Sequence, residues 1–167
     1  MVTTGGPATT APPATTSPTA TRPSALELRP DGIGALRIRR DSANDVINTF
    51  TGFFGAAQLD GAVACDSGSD RTVRWTAVDL TLVFNKGEWA GYLYLAKQPP
   101  PLTTTNGLTI GTTVGVLKSK YPSGLQIFTG SLGPEFSAPD GLRGFTSGTA
   151  DSATITQLGA GDICAFR

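Results

Sequence analysis

The stretch that most constrains this chain is residues 31–55, DGIGALRIRRDSANDVINTFTGFFG. Val46, Ile47, Phe50, Phe53 and Phe54 fall at i, i+1, i+4, i+7 and i+8, the spacing of a helix with one core-facing stripe. Asp41 or Ser42 precedes the stripe as a cap, with Asp45 three residues after Ser42 in a capping-box-like position. Gly55 supplies the stop. Ahead of the helix, Leu26, Leu28, Ile33, Leu36 and Ile38 read as an extended approach broken by Pro30, Gly32 and Gly34. An amphipathic helix must bury its stripe against another element, so the rest of the chain has to supply that surface.

Part of the pattern returns at residues 106–121, NGLTIGTTVGVLKSKY. Thr112 or Thr113 caps a short helix there, with Val116, Leu117 and Tyr121 inward and Pro122 and Gly124 ending it. Arg40 stands where this second copy has Gly111. Between the two helices, residues 56–70 read as a loop and 72–78, 79–84 and 89–95 as extended runs. Leu80, Leu82 and Phe84 share a face, and Asn85-Lys86-Gly87 is a hairpin turn. Gln98-Pro99-Pro100-Pro101 marks a boundary, after which 125–131, 141–147, 153–158 and 162–167 read as strands.

Each unit is thus a helix followed by antiparallel strands. This predicts an α+β domain over 25–167, built from two pseudo-repeats of about 25–98 and 102–167, each a helix on an antiparallel sheet. GxGxxG and Walker sequences, which a nucleotide-binding βαβ unit would carry, are absent.

Residues 1–24 are almost only Thr, Pro, Ala, Gly and Ser, with Arg22 the single charge. Such a segment cannot bury enough apolar surface to offset its ordering entropy, and it is predicted to be a disordered tether. Ser/Thr-rich tracts with Pro resemble glycosylated stalks of surface proteins; a plain linker is the alternative. The first residues have neither the charged n-region nor the apolar h-region of a signal peptide, as a mature chain also would not. No run of 18 or more apolar residues is present to form a transmembrane helix.

Thirteen basic residues balance 13 acidic ones, which gives no footprint for nucleic acid or anionic lipid. Histidine is absent, and with it the commonest general base and metal ligand. Cys65 and Cys164 form no CxxC motif. They read as buried thiols in a cytosolic chain and as a disulfide in an exported one, where it would close a loop of about 100 residues.

Candidate binding residues are few. Arg37, Arg39 and Arg40 form the one tight basic cluster, with Arg37 and Arg39 sharing a strand face and Arg40 beside a helix N-terminus; an anionic group of a partner or simple pairing with Glu27, Asp41 or Asp45 accounts for them. On the run 89–95, Tyr92 and Tyr94 lie opposite Trp89, so they either present an aromatic contact surface or pack beneath the other unit. Asp66-Ser67-Gly68-Ser69-Asp70 has calcium-loop spacing but too few ligands, which leaves a turn; no metal or cofactor is expected. Asp79 and Glu88 could face each other across a hairpin as an acid/base pair, a weak signal.

The repeated cap–helix–strand pattern resembles the tandem units of the β-lactamase-inhibitory-protein and outer-membrane-assembly lipoprotein (BamE/SmpA-like) superfamily. It is also similar to uncharacterised actinobacterial envelope lipoproteins in Asp31-Gly32-Ile33-Gly34, in Trp75 with Leu80 and Phe84, in Leu132-Gly133-Pro134-Glu135-Phe136, and in residues 161–167. The resemblance implies architecture and compartment, not a catalytic set: a secreted protein, or one anchored to the outer face of the membrane by a lipid upstream of this chain. With export goes the Cys65–Cys164 disulfide. The function expected is non-enzymatic binding of another envelope protein or a cell-wall component. A carboxylate-dependent hydrolase of envelope glycan, or a structural assembly lipoprotein, is the alternative.

Overall fold

The computed structural model describes residues 1, 26–63, 71–95 and 102–163. The N-terminal tether, the Cys65–Cys164 pairing, the Asp66-to-Asp70 turn and the proline boundary lie outside these residues, as do positions 164–167 of the expected last strand.

Three two-residue strands, β1 (Leu28–Arg29), β2 (Gly32–Ile33) and β3 (Leu36–Arg37), fold into a small antiparallel sheet ahead of the first helix. Their apolar residues Leu28 and Ile33 are fully buried. Helix α1 spans Ala43–Phe54. Ser42 caps it: the hydroxyl accepts from the Asp45 backbone N–H at 3.2 Å and donates to the Asp45 carboxylate at 2.7 Å, satisfying a donor that the first turn leaves without a partner. Gly55, at φ 78°, closes the helix, its N–H donating to Thr51 O.

Four strands follow in order, β4 (Leu59–Gly61), β5 (Arg71–Trp75), β6 (Leu80–Asn85) and β7 (Glu88–Tyr94). The β6–β7 turn places Lys86 at φ 53° and Gly87 at φ 80°, the pair of positive values that matches the twist of a two-residue hairpin. Helix α2 (Val114–Lys120) is capped by Thr113 and precedes four more strands, β8 (Gln126–Gly130), β9 (Gly133–Ser137), β10 (Arg143–Thr146) and β11 (Ile155–Gly161). The eight strands make one antiparallel sheet in the order β4-β5-β6-β7-β11-β10-β9-β8, the last strand of each run meeting at the centre. The molecule is therefore α+β with a large antiparallel sheet.

Cross-strand register sorts the sheet into two faces. One row, Ile127–Phe136–Gly144–Leu158–Tyr94–Leu80–Trp75, faces inward and is buried from Phe136 to Trp75. Phe50 of α1 packs on Trp75 with ring centroids 5.7 Å apart, and Leu117 of α2 joins the same core. The indole N–H of Trp75 donates to Gly55 O at 2.9 Å, fixing the end of α1 to the sheet. At the far edge Arg71 grips Asp60 through two 2.7 Å hydrogen bonds, which hold the Asp60 carboxyl below its usual range and pin β4 to β5.

Several expectations need correction. Of the α1 stripe, Val46 and Phe50 are buried and Ile47 and Phe54 half-buried, but Phe53 is 40% exposed, because a stripe spanning i+7 and i+8 is wider than the contact with the sheet. Val116 of α2 is 44% exposed, with Val114 taking the inward place beside Leu117. Residues 56–70 contain the edge strand β4 rather than a loop alone. The 133–137 segment is a strand despite Pro134, whose missing N–H breaks no rung with β10 because that pairing stops at Glu135. The strand expected at 153–158 runs on as β11 to Gly161, and the separate strand expected from Asp162 does not begin there.

Candidate functional site

Tyr92 and Tyr94 do not form a contact surface. Both belong to the inward-facing rows and are fully buried, since Tyr94 pairs with Leu158 and Leu80 and Tyr92 with Ala160 and Leu82. Burial of a phenol requires a partner for its hydroxyl. Tyr92 donates to Arg29 O at 2.9 Å, and Tyr94 accepts from the Leu102 N–H at 2.6 Å. They are structural ties from the central strand to the segments at 28–29 and 102–104. Burial, with the Asp140 carboxylate nearby, pushes the Tyr92 hydroxyl far above its usual range.

The three arginines also separate. Arg37 is half-buried and clamps its own turn, donating from Nη1 to Gly34 O at 2.7 Å and Leu36 O at 3.1 Å, with Nε 3.1 Å from Asp31. Arg39 sits in a turn at φ 58°, not on a strand face with Arg37, and pairs with Asp162 at the end of β11. A cavity of about 290 Å³ lies beside it, lined also by Asn85, Lys86, Glu88 and Ala90. Arg40 is exposed and makes no ion pair among the described residues. With Arg37 and Arg39 neutralised separately, the three do not converge on one anion.

The carboxylate pair fails on geometry. Glu88 pairs with Asn85 at one end of the β6–β7 hairpin, while Asp79 precedes Leu80 at the other. At about 3.3 Å per residue the two are roughly 20 Å apart, too far to flank one scissile bond. Asp79 instead pairs with Arg74 at 3.0 Å.

A larger cavity, about 450 Å³, opens at the end of α2 among Lys118, Tyr121, Ser123, Leu125, Ile127 and Thr149. Two of its polar groups are already engaged: Lys118 with Asp151 at 2.6 Å, and Tyr121 as donor to Asp140 at 2.8 Å. Burial first, and then Asp140, push the Tyr121 hydroxyl up to about 12, so it stays a neutral donor.

The sheet face away from the core is different. A row of side chains crosses all eight strands there, Gln126–Ser137–Arg143–Gly159–Leu93–Thr81–Arg74–Leu59. Only Gly159 among them is buried, so this row meets solvent, whereas Val83 and Gly91 on the same face are buried. Beside it runs a shorter row, Phe128–Glu135–Phe145–Gln157. Phe128 is 43% exposed, Phe145 half-buried and Glu135 only 6% exposed.

No known protein family, curated protein or solved structure matches this chain.

Glu135 was missed at the level of sequence. It lies within Leu132-Gly133-Pro134-Glu135-Phe136, which the strands expected at 125–131 and 141–147 leave out; the alternation of Pro134 and Phe136 with Glu135 is the signal that would have set it on the outer face. Among the described residues no group of acidic, Cys or His side chains is placed to hold a metal, and no helix is long and apolar enough to cross a membrane.

Proposed function

We propose that this chain is a non-enzymatic binding domain of the cell envelope, exported or lipid-anchored, whose open sheet face meets another envelope protein or a cell-wall component. The observation that carries this reading is the asymmetry of the sheet: the helices pack on one face, and on the other a row of residues that crosses all eight strands is accessible at every position but Gly159. Antiparallel sheets tolerate one wet face, but this one mixes apolar Leu59, Leu93, Phe128 and Phe145 with Arg74 and Arg143, the composition of a contact surface.

On this reading the halves are pseudo-repeats. Helix-then-four-strands occurs twice, both helices open on a hydroxyl cap, and the two meanders join through their last strands. A two-fold relation would give that strand order, and it would set the open face as one continuous surface.

The test is capture from envelope extract by the purified domain, compared with a Thr81→Lys/Leu93→Lys variant on the open face and an Asn44→Lys control on α1. A partner held by wild type and control but lost from the face variant supports the reading. Retention by the face variant, or no capture at all, sinks it. Export is tested separately by thiol counting on the secreted protein under denaturing conditions, where two free thiols at Cys65 and Cys164 would refute the disulfide.

A further inference from the structure

Strand β8 closes one end of the eight-stranded sheet and pairs only with β9. One residue decides which of its backbone groups face outward. Pro134 lies opposite Thr129 and has no N–H, so these two cannot be a hydrogen-bonded pair. Hydrogen-bonded and non-hydrogen-bonded pairs alternate along an antiparallel ladder, so Ile127 and Phe136 are also non-hydrogen-bonded. The N–H and C=O groups of Ile127 and Thr129 therefore point away from β9, into the free edge. None of the four finds a partner among the described residues. Such an edge is a template for another strand, and proteins guard it with lysine, proline, bulges or inward charge. Here the guards are absent. Residues 123–132 carry no charge and no proline, and β8 runs along β9 without a bulge. Phe128 and Leu132 are 43% and 61% exposed. The opposite edge differs, since β4 has three residues and carries the Asp60–Arg71 ion pair.

We propose that β8 pairs antiparallel with β8 of a second copy of this chain, about a two-fold axis at Phe128. The edge is complementary to itself in that register. Ile127 lies opposite Thr129 of the copy and Thr129 opposite its Ile127, so all four outward groups bond within β8 itself. Phe128 then meets its own copy in a non-hydrogen-bonded pair, where side chains approach most closely and aromatic pairs stabilise. Centring the pair on Ile127 or Thr129 would set Phe128 against Gln126 or Gly130 instead. No like charges meet across the join, and the chain's net charge is zero. Because both copies use the same strand, the contact is isologous and closes at the dimer. The axis stands perpendicular to the sheet, so the copies form one continuous sheet with both open faces on one side. This join does not depend on what the open face binds.

The test is sedimentation equilibrium of the purified chain over a range of concentrations, with amide hydrogen exchange followed by NMR. Expected are a mass of twice 17.2 kDa and protection at Ile127 and Thr129 that rises with concentration. Thr129→Pro removes one outward N–H but no rung between β8 and β9, and should weaken association about tenfold or more. Phe128→Lys sets like charges directly opposite and should act likewise, while mixing it with Phe128→Glu should restore a dimer. That mixture decides the matter if Thr129→Pro does not fold. Asn44→Lys on α1 should leave the mass unchanged. A wild type that stays monomeric up to about 1 mM, a mass that climbs without limit, or a dimer untouched by both β8 variants overturns the proposal. Failure of the mixture to restore a dimer does so too. A monomeric chain that loses partner capture on Thr129→Pro also overturns it, since the edge would then hold a strand of that partner. A dimer whose partner capture survives Thr81→Lys/Leu93→Lys keeps the join and ends the open-face reading.

Discussion

Gly144 lies on β10 in the inward row, and a Cβ there would collide with the Gln157 backbone oxygen on one side and the Phe136 ring on the other. Backbone cannot move aside as a flexible side chain can. Gly144→Ala is therefore expected to destabilise the fold by about 1–3 kcal/mol, read as a lower midpoint in chemical denaturation; an unchanged midpoint would mean the strand relaxes freely.

The helices are held by their ends as much as by their stripes. Helix α1 carries three phenylalanines, yet of these only Phe50 is fully buried, and Ser42 at one end and the Trp75-to-Gly55 hydrogen bond at the other set its position. Ser42→Ala should cost about 1 kcal/mol, measurable by thermal melting, and a neutral result would show that the Ser42–Glu88 bridge alone fixes the helix start. The same logic explains what was readable at this scale. Caps, the Gly55 stop and the Lys86-Gly87 turn are local, so residue type alone predicts them. Strands β4 and β9 escaped notice because each is short and exists through pairing: β4 through the Asp60–Arg71 clamp, β9 through neighbours on both sides.

At the scale of the molecule, the central β7–β11 pair makes the two strand runs one sheet, and Tyr92 and Tyr94 on β7 tie that sheet to chain segments on either side of it in sequence. This gives stability an alkaline limit. Unfolded tyrosine titrates near 10, whereas native Tyr121 is raised to about 12 and Tyr92 is raised well above its usual range. The native chain then holds protons the unfolded chain has released, so stability is complete below pH 10 and falls as pH rises from 10 through about 12. Tyr121→Phe should lower stability at neutral pH by the lost Asp140 hydrogen bond and make the alkaline decline shallower. Urea midpoints across that range check it, and an identical slope in the variant would refute the assignment.

Periodicity and turn chemistry determined the elements: two capped helices, the β6–β7 hairpin, a sheet that had to be antiparallel because its connections are short, and hence the α+β class. These depend on residues a few positions apart, where geometry follows from residue type. Which face each strand buried was decided only by the tertiary structure, because a strand's two faces differ by one residue of register and the neighbours that settle it are distant in sequence. That choice sent Tyr92 and Tyr94 inward, dispersed Arg37, Arg39 and Arg40, and set Glu135 between two phenylalanines on the open side.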